Sequence, residues 1–278
     1  MSKTQELIKQ LQDGIRDLFE SDKYKAYLKF MSSFHSYSAS NCVLIFQQMP
    51  EATLCASYSD WNQKHHRQVK KGSKALRVLA PHTYKEKDEN GDEKERLGFH
   101  CASCFDVSQT FSIDGTPLPS ICTEIDADVV GFANLFDVIA SVSPVPVEFE
   151  DIKGDVHGYF SPTDLRIAVK KGMSEAQTIS TLLHEQAHAW LHAKGAEEED
   201  ADKRTKEVEA QSIAFVVSQM LGIEETDEYS FAYVSGWSSD KSTPELRASL
   251  EIIRKTSDMM YGLIEEKLHE LHQGSNDA

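Results

Sequence analysis

No apolar run in this chain approaches the roughly 18 residues that a membrane-crossing helix needs, so no segment reads as a bilayer span. The N-terminus, Met1-Ser2-Lys3-Thr4-Gln5, is polar and lacks the apolar stretch of a secretory signal. A cytoplasmic protein without a membrane partner is expected. Cysteine is scarce as well: Cys42, Cys55, Cys101, Cys104 and Cys122 are odd in number and scattered, which excludes a complete disulfide framework and fits reduced thiols. Cys101-x-x-Cys104 is the one close pair, and with no second pair or histidine at zinc-ribbon spacing it reads as two free thiols on a strand. Basic residues are short only in one place. Residues 126–278 hold 13 Lys+Arg against 29 Asp+Glu, while residues 1–125 hold 16 of each, so the whole net charge of −16 belongs to the second half. The two halves are expected to meet different partners.

What the second half does contain is His184-Glu185-Gln186-Ala187-His188. Its surroundings predict a helix from Ser174 to Gly195. Ser174 and Gln177 form a capping-box pattern, Ile179, Leu182, Leu183, Ala187, Trp190 and Leu191 recur at helical spacing, and Gly195 supplies the stop. At about 100° per residue the two histidines stand one turn and about 40° apart on the flank of the apolar face, so both imidazoles reach a single point. Two nitrogen ligands with an open coordination position suit catalytic Zn2+, and Glu185 is placed to take a proton from water there. A third ligand is expected from a later helix. Thr205 to Leu221 is one, with Ala210, Ile213, Ala214, Val217 and Leu221 as its buried stripe and Gly222 after it. Glu207 and Glu209 flank opposite sides of that stripe, each about 75–85° from its centre, and helical geometry does not choose between them.

The neutral half contains a complementary feature. From Trp61 to Arg77 there are six cations (Lys64, Arg67, Lys70, Lys71, Lys74, Arg77) with His65 and His66 and no acid. Beside Trp61, Tyr58 and Tyr37, they offer a field for phosphates and π-faces for bases, which is what single-stranded nucleic acid requires. A solvated loop is the plainer alternative. In chain order, an amphipathic helix is predicted over 4–30 and a second over 37–48. A hairpin of 75–80 with 98–107 follows, its charged tip around Asn90-Gly91. Gly115 to Ser120 has linker composition. Beyond it come a helix over 129–142, strands over 145–149 and 165–169, the two helices already described, and a last long helix capped by Thr243 with Pro244 at its first position.

Residues in both halves carry a family resemblance. Ser36-Tyr37-Ser38-Ala39-Ser40-Asn41, Tyr58, Trp61, Gln68-Val69-Lys70-Lys71-Gly72-Ser73-Lys74-Ala75 and Phe105-Asp106-Val107-Ser108-Gln109-Thr110 resemble the N-terminal single-stranded-DNA-binding domain of ArdC-type antirestriction proteins. Leu182 to Ala189 and Glu207-Val208-Glu209-Ala210-Gln211-Ser212-Ile213-Ala214 resemble the zincin-like metallopeptidase domain that follows it in that family, distantly related to the ImmA/IrrE peptidases. The resemblance covers nearly the whole chain. It implies zinc ligands at His184, His188 and Glu209, with Glu185 as catalytic acid/base, and a protein carried on mobile elements that protects incoming single-stranded DNA.

The expectation is therefore an α+β protein of two domains, 1–120 for DNA and 121–278 for a zinc peptidase of the Glu-zincin type. Tyr37, Asn41, Trp61, Arg67, Lys70, Lys71, Lys74 and Arg77 would contact DNA, and a peptide or protein substrate would pair with an edge strand, taken as Leu165 to Val169. Tyr159, Tyr229 and Tyr233 are open choices for stabilising the oxyanion. The acidic tract Glu197-Asp200 reads as a solvated loop. Two alternatives stand beside this reading: a DNA-shielding protein whose zinc is structural, and a cytosolic zinc peptidase that binds no DNA.

Overall fold

The computed structural model describes the chain apart from residues 1, 20–22, 35, 88–92, 116, 118–130, 224–230, 232 and 277–278. The spacing of Leu7, Leu11, Ile15 and Leu18 makes a helix with all four buried, α1 (Lys3–Phe19). The single helix expected over 4–30 is two, because α2 (Lys23–Met31) is a separate element. Helix α3 (Ala39–Gln48) starts where the Ser38 side chain accepts from the Asn41 N–H. Then come β1 (Cys55–Ala56), α4 (Tyr58–Gln63), β2 (Arg67–Val69), β3 (Leu76–Lys87), β4 (Glu93–Asp106) and β5 (Thr110–Ser112). Strands β1, β4 and β3 form one antiparallel sheet in that order, and β2 pairs antiparallel with β5. The β3/β4 hairpin is longer than expected, running through much of the charged stretch, and its tip lies outside the described residues. Cys101 and Cys104, three apart on β4, point to opposite faces and cannot share a metal. Both are free thiols.

The second half runs α5 (Phe132–Ser141), β6 (Val147–Glu150), β7 (Gly158–Ser161), β8 (Arg166–Lys170), α6 (Glu175–Leu191), α7 (Lys203–Met220), α8 (Val234–Ser238) and α9 (Thr243–Asn276). Its sheet has the order β6-β8-β7, parallel on one side and antiparallel on the other. The continuous apolar core of β8, with Ile167, Ala168 and Val169 fully buried, marks a central strand. The expected edge strand over 165–169 is thus corrected: the edge strand beside α6 is β7, four residues with no alternation to announce them. Helix α6 is capped by Ser174, but the Gln177 side chain turns to His157, so only half of the capping box forms. Helix α7 starts earlier than expected because Asp202 caps it, accepting from the Thr205 N–H and hydroxyl. In α9 the Leu246 N–H closes the first turn on the Ser242 carbonyl, which moves the cap one residue ahead of Thr243.

One apolar core runs through both halves. Tyr24 of α2 shares a buried 2.8 Å hydrogen bond with Ser212 of α7, and the Phe19 and Trp237 rings meet edge-on. On the other side Glu251 of α9 accepts from the Ala39 N–H at the start of α3, while Arg247 donates to Ser40. The first three helices therefore pack on α7, the successor of the His-Glu-x-x-His helix, and on α8 and α9. The expected boundary at 120/121 lies outside the described residues.

Candidate metal centre and basic face

Helices α6 and α7 bring two imidazoles and one carboxylate together. The Nε2 atoms of His184 and His188 are 3.0 Å apart, and the Glu207 carboxylate straddles them, Oε2 3.6 Å from His184 Nε2 and Oε1 3.7 Å from His188 Nε2. Ligand atoms about 2.0–2.1 Å from a tetrahedral ion stand roughly 3.3–3.4 Å from one another, so these separations bracket a metal site. Among the described residues this is the one group of three or more His, Cys, Asp or Glu side chains whose ligand atoms lie within 4.8 Å of each other. Burial lowers the pKa of His188 and favours the neutral ring that a metal ligand needs. The imidazoles of His184 and His188 beside it hold the Glu207 carboxyl well below the usual range.

Glu209, expected as the third ligand, is not at this point. Two residues along α7 is about 200° around the helix, so Glu207 faces the cleft while Glu209 is completely buried on the other side. There Glu209 Oε1 accepts a 2.6 Å hydrogen bond from Ser249 of α9, and Oε2 lies 3.6 Å from His192 Nε2. His192 follows His188 by one turn, with the two Nδ1 atoms 2.9 Å apart. Burial lifts the Glu209 pKa to about 7 and drops that of His192 to about 4. What separates the two glutamates is the packing of α9 over one flank of α7, which the sequence of α7 does not contain.

Glu185 points to the edge strand. Its Oε2 accepts the Phe160 N–H of β7 at 2.7 Å, and burial raises its pKa. Gly158 permits the close approach, since a Cβ there would lie 2.6 Å from Thr181 Cγ2 and 2.9 Å from the Ala168 carbonyl. The resulting cleft, about 820 Å³, is lined by Gly158, Phe160, Pro162, Glu185 and the three metal-site residues. Tyr159 also lines it, with its hydroxyl engaged by Glu150 and Arg166. Tyr233 lies in a neighbouring cavity of about 870 Å³ with Glu207, Gln211 and Trp237. Tyr229 lies outside the described residues. The acidic tract sits in the α6–α7 connection, where Glu199 accepts from the Gly195 N–H.

The expected DNA residues divide into two groups. Trp61 is 0% exposed, with its indole N–H donating to the Phe105 carbonyl, so it cannot stack on a base. Asn41 pins α3 to β3 by exchanging two hydrogen bonds with Leu79, and Tyr37 donates its hydroxyl to the Cys55 carbonyl. Arg67 is half-buried against Thr110. By contrast Lys70, Lys71, Lys74 and Arg77 are exposed. Lys64 is paired with Asp60 at 2.6 Å, so the acid-free run gains a counter-charge from outside itself. Sequence reasoning missed Phe111, 46% exposed and directly across from Gln68 in the β2/β5 pair, and it named Tyr58, 55% exposed, as a π-face without placing it among the DNA-contact residues. The alternation in Thr110-Phe111-Ser112-Ile113 was the available signal.

An α+β protein that joins this face to a His-Glu-x-x-His helix and a glutamate from the next helix belongs to a recognisable class. Residues 2–105 match the N-terminal domain of anti-restriction factor ArdC, and residues 143–258 match the IrrE N-terminal-like domain. The chain thus carries an ArdC-like N-terminal domain followed by an IrrE-like domain. It is 26% identical over 98% of its length to an uncharacterised protein of Bacillus anthracis, and it spans about half, 54%, of that relative. The fold is similar to crystal structures of the antirestriction ArdC protein from plasmid R388. The metal-free form gives a TM-score of 0.54 at 21% identity over 84% of this chain and 86% of that one. The Mn(II)-bound form gives 0.57 at 19% identity over 93% and 97%. No described helix is long and apolar enough to cross a membrane.

Proposed function

We propose that this chain is an antirestriction-type protein that binds single-stranded DNA on its basic face and carries a zinc-dependent peptidase centre. The observation that carries the reading is the convergence of His184, His188 and Glu207 in one cleft with a buried Glu185, the residue after His184, which reaches a sheet edge. The first three would hold the ion; Zn2+ suits two imidazoles and a carboxylate, and Mn2+, which the R388 protein binds, is the other choice. When bound, the ion supplies a Lewis acid and acidifies water.

The chain's own residues do the rest. Burial raises the proton affinity of Glu185, which accepts a proton at its carboxylate during attack on a peptide carbonyl and returns it to the leaving amine. Gly158 and Phe160 face out of β7 and offer backbone groups for an extended peptide, which would compete with Glu185 for the Phe160 N–H. Lys70, Lys71, Lys74 and Arg77 supply the phosphate contacts, while Phe111 and Tyr58 take the stacking role expected of Trp61.

Metal analysis tests the centre. The purified protein should retain about one ion per chain, Glu185→Gln should retain it too, and Glu207→Gln should lose it. Full metal content in Glu207→Gln would remove the ligand set. A second reading has an observation in its favour: α7, which carries Glu207, also packs against α2 of the N-terminal half, so a purely structural ion tying α6 to α7 would help hold that half in place. Equal DNA protection in cells by wild type and Glu185→Gln would support it.

A further inference from the structure

Behind the metal centre lies a chain of side chains that the peptidase reading does not use. It runs from His188 Nδ1 to His192 Nδ1 at 2.9 Å, from His192 Nε2 to Glu209 Oε2 at 3.6 Å, and from Glu209 Oε1 to the Ser249 hydroxyl at 2.6 Å. Three elements contribute: α6, α7 and α9. His192 and Glu209 have side chains 4% and 1% exposed, so water does not compete along it. Among the described residues, His192 Nε2 and Glu209 Oε2 are both buried without a hydrogen-bond partner, and they face each other at 3.6 Å, just beyond hydrogen-bond reach.

We propose that His192, Glu209 and Ser249 form an outer chain that fixes the tautomer and ring orientation of His188, so that its Nε2 lone pair faces the ion. The inference rests on the metal-site reading above. The placement of each proton follows from one end. Ser249 donates its hydroxyl proton to Glu209, and with Glu209 ionised both carboxylate oxygens only accept. The other oxygen, 3.6 Å from His192 Nε2, then favours a proton on that nitrogen. A neutral His192 with its proton there presents a bare Nδ1, and the only partner for it at 2.9 Å is a protonated Nδ1 on His188. With its proton on Nδ1, His188 has an unprotonated Nε2, and Nε2 is the atom that faces His184 and Glu207. The carboxylate at Glu209 thus reaches the ion through two imidazoles instead of touching it. His184 has no such support among the described residues, where its Nδ1 is buried without a hydrogen-bond partner. Of the two histidines, His188 is the one held in place beforehand.

This chain also accounts for Glu209 in the Glu-Val-Glu-Ala stretch: one glutamate faces the ion and the other orients a ligand from behind. His192, Glu209 and Ser249 are positioning residues in this account. Their loss should weaken metal binding without abolishing it, by the ~10–100-fold typical of outer-shell partners.

The experiment uses the full-length chain, freed of metal, and titrates Zn2+ alone in competition with a chromophoric chelator. His192→Phe, which keeps a ring of similar size, Glu209→Gln and Ser249→Ala are compared with wild type and with Glu207→Gln. Affinity should fall ~10–100-fold in His192→Phe and Glu209→Gln, less in Ser249→Ala, and further than any of these in Glu207→Gln. A second readout needs no metal. Imidazole 15N shifts should place the His188 proton on Nδ1 in wild type and show a mixed or reversed tautomer in His192→Phe. Wild-type affinity in all three outer variants, or an unchanged His188 tautomer, overturns the outer chain while leaving the metal centre intact. Loss of binding in Glu209→Gln as deep as in Glu207→Gln overturns it differently, by making Glu209 a ligand. A wild-type chain that binds no Zn2+ overturns both this inference and the metal-site reading beneath it.

Discussion

The metal centre and the basic face each arise from a compact stretch of sequence, yet they hold their residues in opposite ways. At the centre, side chains from α6 and α7 converge, and burial together with outer partners restricts their rotamers. At the face, cations spread outward from a strand end and a loop, four of them exposed, and one further lysine is neutralised by a neighbour from outside the run. The contrast shows which features a one-dimensional pattern fixes. Residues four apart on a helix point the same way whatever surrounds them, whereas a residue in a short strand or loop faces water or core according to what packs on it. Charge follows the same division: the half with no net charge presents the cations, and residues 126–278 carry the −16 that would repel phosphates.

The largest effect expected is at the converged site. Glu185→Gln should keep the ion and lose hydrolysis by ~10²–10⁴, the usual consequence of removing a general base. Peptide-cleavage rates measured beside metal content would check it; undiminished cleavage would leave the centre organised for something other than this chemistry. On the other side of the comparison, Trp61→Ala should act on folding and not on stacking. A fully buried indole that also satisfies the Phe105 carbonyl should cost about 3–5 kcal/mol of stability when truncated, read as a lowered denaturation midpoint. Were its stability unchanged and DNA affinity alone reduced, the two regions would not differ as described.

The same contrast explains how much was legible beforehand. Helices α3, α6, α7 and α9 were readable because their apolar spacing and caps lie within their own sequence, and the pairing of His184 with His188 followed from spacing alone. Glu207 and Glu209 were not separable, since their difference comes from α9 covering one flank of α7, a contact between residues 40 apart. Strand β7 was missed because four residues around Tyr159-Phe160 show neither alternation nor a long apolar run. Trp61 was misplaced for a related reason: a tryptophan beside six cations reads as a stacking platform, and only the β4 strand behind it, offering the Phe105 carbonyl, reveals it as core. The shared packing of α2 on α7 and of α3 on α9 was hidden altogether, because a linker-like composition near 115–120 suggests independence that the core does not show.

A smaller effect sharpens the picture of the face. Phe111→Ala removes an exposed ring and no charge, so it should weaken binding of a single-stranded oligonucleotide by ~1–3 kcal/mol with the salt dependence unchanged. Fluorescence anisotropy at several salt concentrations would separate the two quantities. Equal affinity in Phe111→Ala would move the stacking role to Tyr58.

The smallest effect is the most diagnostic of how the cations are used. Each lysine that neutralises a phosphate releases about 0.7 of a counterion equivalent on a single strand, so the slope of log K against log[salt] counts contacts irrespective of their geometry. Lys71 and Lys74 are exposed, and Lys71→Ala and Lys74→Ala should each flatten the slope by ~0.7. Lys64 lies in the same acid-free run but already faces Asp60 at 2.6 Å, and a phosphate would have to displace that carboxylate. Lys64→Ala should therefore leave the slope nearly unchanged. If all three lysines changed it equally, the face would be acting as a diffuse field in which local pairing does not matter. If only Lys71 and Lys74 do, the face discriminates among its cations by what each one touches, as the metal centre does between Glu207 and Glu209.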